Sequence, residues 1–144
     1  EMGIYPIAMA WLFLQKDPSS QSVWHHRAGN GVEDDVVILN TYGSNATTAQ
    51  LTTSFRCKLN NYLTLIGTEG TITIADYWAA REARLYKGHE CIDRIIEDRE
   101  HQGFNHQIEQ VSCEILAGQL RPSVVSWEDS RAFQRHIENI KMCF

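Results

Sequence analysis

Along this chain the spacing of hydrophobic residues changes twice, and the changes divide it into a helical, a strand-rich and a second helical segment. Residues 4–15, Ile-Tyr-Pro-Ile-Ala-Met-Ala-Trp-Leu-Phe-Leu-Gln, are apolar on nearly every face, and Pro6 sits where a first helical turn tolerates it. This stretch predicts a buried helix, ended by Asp17-Pro18-Ser19-Ser20. Strand-like runs follow around residues 22–27, then, past the turn Ala28-Gly29-Asn30-Gly31, at 35–42 and 46–55. Two further runs flank Gly67-Thr68-Glu69-Gly70, and a shorter one lies near 84–87. Ala49, Leu51, Thr53 and Phe55 fall on one side of their strand, and Thr48, Gln50, Thr52 and Ser54 on the other, giving one apolar and one polar face. The short links favour an antiparallel meander.

From Gly103 the period lengthens. Phe104, Ile108, Val111 and Ile115 step by four, three and four, a single helical stripe that Gly118 ends and Pro122 keeps from continuing. Ser126-Trp127-Glu128-Asp129 opens a last helix in the manner of a capping box, with Phe133, Ile137 and Ile140 on its inner stripe. Strands grouped between helices predict an α+β fold: an open, mostly antiparallel sheet with helices packed on one face.

The Gly67 to Gly70 hinge invites comparison with a phosphate cradle. A Walker-type loop needs a Lys-Ser/Thr pair behind its last glycine and then a helix, whereas Gly70 leads into Thr71-Ile72-Thr73-Ile74. β-Branched residues at period two continue as a strand, so a hairpin is expected, its glycines supplying positive φ near the bend.

At 144 residues the chain fits one domain, residues 1–144, and a domain of this size buries roughly 68–70% of its unfolded surface without needing a staple. No apolar run reaches the roughly 18 to 20 residues of a membrane span. A net charge of −5 opposes a phosphate backbone, so neither membrane nor nucleic acid is expected as a partner. Cys57, Cys91, Cys113 and Cys143 are widely spaced, with no CxxC pair and no secretory signal, which suits reduced thiols in the cytoplasm. Asn45-Ala46-Thr47 matches a glycosylation sequon and reads as a chance tripeptide in a turn. Because the chain opens at Glu1, it is expected to be a piece of a longer protein.

Few stretches offer chemistry. Gly29-Asn30-Gly31 begins like a dinucleotide fingerprint but lacks the third glycine and the helix behind it, so a tight turn is expected. His25, His26, His89 and His101 show no ligand spacing to a cysteine or carboxylate, and His106 with Glu109 is too small a set to hold a metal. Glu1-Met2-Gly3-Ile4-Tyr5-Pro6 places a carboxylate, a glycine and a phenol just before the apolar helix. Spacing alone leaves two roles open for Tyr5: an amphipathic ring at the rim of the core, or a catalytic phenol.

That last stretch resembles the Asp-x-Gly-x-His/Tyr motif that opens the C-terminal domain of the glucose–fructose oxidoreductase / inositol dehydrogenase / MocA family. Glu33-Asp34-Asp35, Leu65-Ile66-Gly67-Thr68-Glu69-Gly70-Thr71-Ile72, Gly103 through Gly118 and Ser126-Trp127-Glu128-Asp129-Ser130 are similar to its later landmarks, in order. Tyrosine followed by proline is most similar to the dihydrodiol-dehydrogenase-like branch. The resemblance implies the substrate-binding and oligomerisation domain of an NAD(P)-dependent enzyme that moves hydride to or from a sugar, polyol or dihydrodiol-like alcohol. It also implies an N-terminal Rossmann domain, absent from this sequence, that carries the NAD or NADP and a Glu-Lys-Pro lysine, so this stretch alone binds no cofactor and is inactive. Tyr5 would then exchange the proton with the substrate carbinol. Gly3 would let the backbone pass close to substrate or cofactor, and Glu1, longer by one methylene than the family's Asp, would contact substrate. Homo-oligomers would form through the sheet face. The competing expectation is a binding or assembly module of the same α+β fold with no chemistry.

Overall fold

A computed structural model describes residues 2–43, 47–98 and 103–144. Glu1, the Asn45-Ala46 part of the sequon and His101 lie outside the described residues. The α+β class and the antiparallel pairing hold. The strands divide between two sheets, one of three strands and one of four, and the chain separates into two compact units, residues 1–59 with 121–144, and 60–120.

The first unit holds helix α1 (Ile4–Leu14), strands β1 (Ser20–Arg27), β2 (Glu33–Tyr42) and β3 (Thr47–Ser54), and the last helix. β2 is the centre of the sheet. Its register sets Val23 and Leu51 either side of Ile38, so one face collects Val23, Val36, Ile38, Ala49 and Leu51. Ile7 from α1 and Ile140 from the last helix close over that face, and Ile7, Ile38, Leu51 and Ile140 form the buried cluster. Further along the same face Asn40 and Tyr42 are fully buried and satisfy each other: Gln21 donates to Asn40 Oδ1 at 2.9 Å, and Asn40 Nδ2 donates to the Tyr42 hydroxyl at 3.3 Å. The β1–β2 connection is the expected tight turn. The Val32 N–H donates to Asn30 Oδ1, and β2 follows directly, with no helix for a dinucleotide.

The second unit is a meander of β4 (Tyr62–Ile66), β5 (Thr71–Ala75), β6 (Glu82–Lys87) and β7 (Glu90–Ile96), followed by α2 (Phe104–Leu116). Gly67 to Gly70 is the β4–β5 hairpin, closed by the Gly67 N–H on the Gly70 carbonyl at 2.9 Å. The reason for its glycines needs correcting, because neither has positive φ. A Cβ on Gly70 would stand 2.6 Å from the Tyr86 carbonyl, so close approach of β6 requires the glycine. β7 was not expected. Lys87 pairs with Glu90 across a two-residue loop in which Gly88 takes φ +60°, and polar Glu90, Asp93 and Arg94 mask the period-two signal.

The last helix, α3 (Trp127–Lys141), opens with the predicted capping box. The Asp129 N–H donates to Ser126 Oγ at 3.0 Å and the Ser126 N–H to Asp129 Oδ2 at 2.8 Å. Its inner stripe is rotated from the expected one. Ala132, His136 and Ile140 are buried, and Phe133 and Ile137 flank them half-buried.

Candidate functional site

The first turn of α1 carries two of the three candidate residues. Gly3 occupies the N-cap position with φ −62° and ψ −18°, and among the described residues no side chain caps the turn. Nor does anything within 4 Å meet a Cβ built on Gly3, so this chain's own packing imposes no requirement for glycine there. Pro6 lies in the first turn, where backbone N–H groups have no helical partner to lose. The Tyr5 and Ile7 N–H groups make long bonds of 3.4 Å to the Met2 and Gly3 carbonyls. Tyr5 is 48% exposed. Met9, Leu12 and Phe13 follow it at helical spacing, and Leu12 and Phe13 are also exposed, so α1 is not buried all round as its composition predicted.

Gly3 also borders a groove of about 510 Å³ within the first unit, between the start of α1, strands β2 and β3, and the end of α3. Ile7, Ile38, Leu51 and Ile140 form its apolar floor, and Thr52, Thr53, Gln134 and Lys141 give it polar edges. Tyr5 is not part of this lining. Successive helical residues point about 100° apart, so the phenol leaves the helix on another side.

At the groove's edge Glu33 and Asp34 are both paired. Arg27 Nε donates to Glu33 Oε1 at 2.8 Å, and His26 Nδ1 lies 2.6 Å from Asp34 Oδ1. Backbone hydrogen bonding and then Arg27 hold Glu33 below the usual carboxylate range, and the bond to His26 does the same for Asp34. His26 thus meets a carboxylate that its sequence spacing did not suggest. Among the described residues no group of three or more His, Cys, Asp or Glu side chains converges as a metal site would require. His106 and Glu109 both lie exposed on α2. All four cysteines are exposed and free. No helix among the described residues is long and apolar enough to cross a membrane.

A second polar cluster joins the end of α1 to α3. His136, 6% exposed, lies with Nε2 2.9 Å from Asp17 Oδ1, and Arg135 Nη2 donates to both Asp17 oxygens at 2.8 and 3.0 Å. Arg135 holds Asp17 below the usual carboxylate range against the opposing effect of burial, and His136 adds to it. The Trp11 indole N–H donates to Asp129 Oδ1 at 2.7 Å. Only the capping box gave a sequence signal for any member of this set.

Taken together these features define an α+β domain with a solvent-open phenol on an uncapped helix start. The chain belongs to the GFO/IDH/MocA oxidoreductase family: residues 1–73, from the Glu1 motif into β5, match the family's C-terminal domain. No curated protein sequence matches. Among solved structures the chain is similar to the aldose-aldose oxidoreductase from Caulobacter crescentus, solved with glycerol, at 21% identity and a TM-score of 0.80. That superposition covers 98% of this chain and 43% of the other. It is also similar to the UDP-N-acetylglucosamine 3-dehydrogenase GnnA from Acidithiobacillus ferrooxidans in two crystal forms. Identities are 15% and 14%, TM-scores 0.80 and 0.78, and coverage is 99% and 98% of this chain against 45% of the other in both. At such identities the likeness concerns the fold, and the chain spans less than half the length of these relatives.

Proposed function

We propose that this chain is the substrate-binding and dimerisation domain of a cytoplasmic NAD(P)-dependent oxidoreductase acting on a sugar, polyol or dihydrodiol-like alcohol. The observation that carries the reading is the family match, which begins at the Glu1 to Tyr5 motif, joined with the exposure of Tyr5 on an uncapped helix start. The named activities of the similar structures, an aldose oxidoreductase and a nucleotide-sugar dehydrogenase, support the hydroxylated substrate class. NAD or NADP is held by a separate N-terminal Rossmann domain, and residues 1–144 alone bind neither and are inactive.

In this reading Tyr5 is the acid and base. It takes the carbinol proton in the oxidative direction and returns it in the reverse direction, and a nicotinamide bound by the full-length enzyme would supply the hydride chemistry. The carbinol meets Tyr5 on the open side of α1, away from the apolar groove. Gly3 lets substrate approach the backbone, for which there is open space, and Glu1 holds a substrate hydroxyl. Self-association uses the outer face of the β1–β3 sheet, where Thr48, Gln50 and Thr52 on β3 share a face with Val37 and Leu39 on β2 and Trp24 on β1. Trp24 there is 57% exposed, an aromatic of the kind enriched at interfaces.

The test is Tyr5→Phe in the full-length enzyme, assayed across a panel of alcohols with both cofactors. Loss of a positioned general acid or base slows turnover by about 10²–10⁴, with substrate binding less affected. Phenylalanine keeps the ring, so a loss points to the hydroxyl. Unchanged turnover at saturating substrate, with hydride transfer rate-limiting, removes Tyr5 from the chemistry.

A further inference from the structure

Helix α1 is seated on the core through Ile7, but apolar contact is non-directional and leaves the helix free to tilt about that seat. Among the described residues no side-chain cap bond fixes the axis at the first turn. Direction is supplied from the other end. The Trp11 indole N–H bonds Asp129 at 2.7 Å, and Asp17, just past the helix, receives His136 at 2.9 Å and the fork of Arg135. Trp11 and His136 meet edge to face, with ring centroids 5.7 Å apart and an interplanar angle of 81°.

On α3 the partners fall at spacing three and four: Asp129, Ala132, His136. Between the two polar points lies Ala132, 1% exposed, whose small side chain lets the elements approach closely. Asp129 is committed at once to Ser126, closing the start of α3, and to Trp11. The Trp11 bond therefore stands on a helix terminus that is itself locked, and the Asp17 bond on the body of the same helix.

We propose that Trp11, Asp17, Asp129 and His136 form a two-point polar clamp that sets the axis of α1 and thereby the position of Tyr5. They are positioning residues and touch no substrate. The consequence for catalysis rests on the proposed role of Tyr5. Tyr5 lies two residues, about 3 Å of helix, from the Ile7 seat, so a tilt of about 20° about that seat moves the Tyr5 backbone by about 1 Å. A displacement of that size at a reacting group costs about 10²-fold in rate.

Two variants test the clamp: Trp11→Phe removes the indole donor together with its second ring, and His136→Phe removes one of the three bonds that α3 makes to Asp17, Arg135 keeping the other two. In the 144-residue chain, each should speed hydrogen exchange of the α1 amides by at least about tenfold while β2 stays at its original rate. In the full-length enzyme, well below the unfolding temperature, kcat should fall by about 10- to 100-fold with KM within about threefold. If Tyr5→Phe leaves turnover intact but the clamp variants still loosen α1, the catalytic role of Tyr5 fails and the clamp stands. α1 exchange at the original rate in both variants overturns the clamp, as does, where Tyr5→Phe lowers turnover, a turnover per folded clamp variant equal to that of the parent.

Discussion

The two units are built from similar sequence patterns and end in different states of burial. Each has an antiparallel sheet with one apolar face and at least one amphipathic helix. In the first, α1 and α3 lie over the sheet, and Ile7, Ile38, Leu51 and Ile140 are buried between them. In the second, the register collects Leu63, Leu65, Ile72, Ile74, Ala83 and Leu85 on one face, yet none of these is fully buried. The α2 stripe is open, with Phe104 at 75%, Ile108 at 66% and Ile115 at 67% exposure. Alternation and helical period fix which residues share a face. They do not fix what covers that face, and a sheet with one apolar side needs a second layer before it has a core.

The largest effect that would break the comparison is a loss in the second unit as great as in the first. Ile38→Ala should destabilise the first unit by about 2–5 kcal/mol, the range for a large buried aliphatic truncated to alanine. Leu65→Ala, at a half-buried position, should cost clearly less. Urea midpoints read by a probe in each unit decide this, and equal losses would remove the distinction.

Ala132→Leu comes next. Inserting side chain between the two clamp bonds should cost about 1–3 kcal/mol as an overpacking change. Ser126→Ala, which deletes the cap of α3, should cost about 1 kcal/mol. Ile108→Lys on α2 should stay within about 0.5 kcal/mol of the parent, as exposed substitutions do. A large loss there would mean that the stripe is covered after all.

Acid sharpens the contrast further. Asp129 is held below the usual carboxylate range by Ser126 first and then Trp11, and Asp17 chiefly by Arg135. A carboxylate with a lowered folded-state pKa contributes in full above its unfolded value, about 3.9, and that contribution is lost as pH falls through the lower folded value. Between about pH 5 and pH 3 the first unit should therefore lose stability more steeply in the parent than in an Asp17→Asn, Asp129→Asn double variant. Parallel curves would show that these carboxylates carry no linkage. Asp17 is largely exposed, which reduces its share.

Much of the frame was legible in the sequence. Period-two runs located six of the seven strands, and Ser-Trp-Glu-Asp located the start of α3 by its capping chemistry. β7 escaped because its polar residues break the alternation that a half-buried strand shows, and every position of β7 is exposed. His136 escaped because a histidine scores as polar, so the stripe was drawn through Phe133 and Ile137 instead of Ala132 and His136. The Trp11 to Asp129 bond joins residues 118 apart, and neither residue type at either place announces the other. At the candidate site the Gly3 and Tyr5 motif was visible from its order and residue types. The open side on which Tyr5 lies was not, since an all-apolar helix predicts burial on every face.

Region-resolved hydrogen exchange of the 144-residue chain near neutral pH tests the comparison most directly. The amides of β2, β3 and α3 should show the slowest exchange, set by cooperative opening of the first unit, while those of β7 and α2 exchange orders of magnitude faster. Protection of α2 equal to that of β2 would contradict the account, because it would require for the second unit a core like the one that Ile38 and Ile140 form in the first.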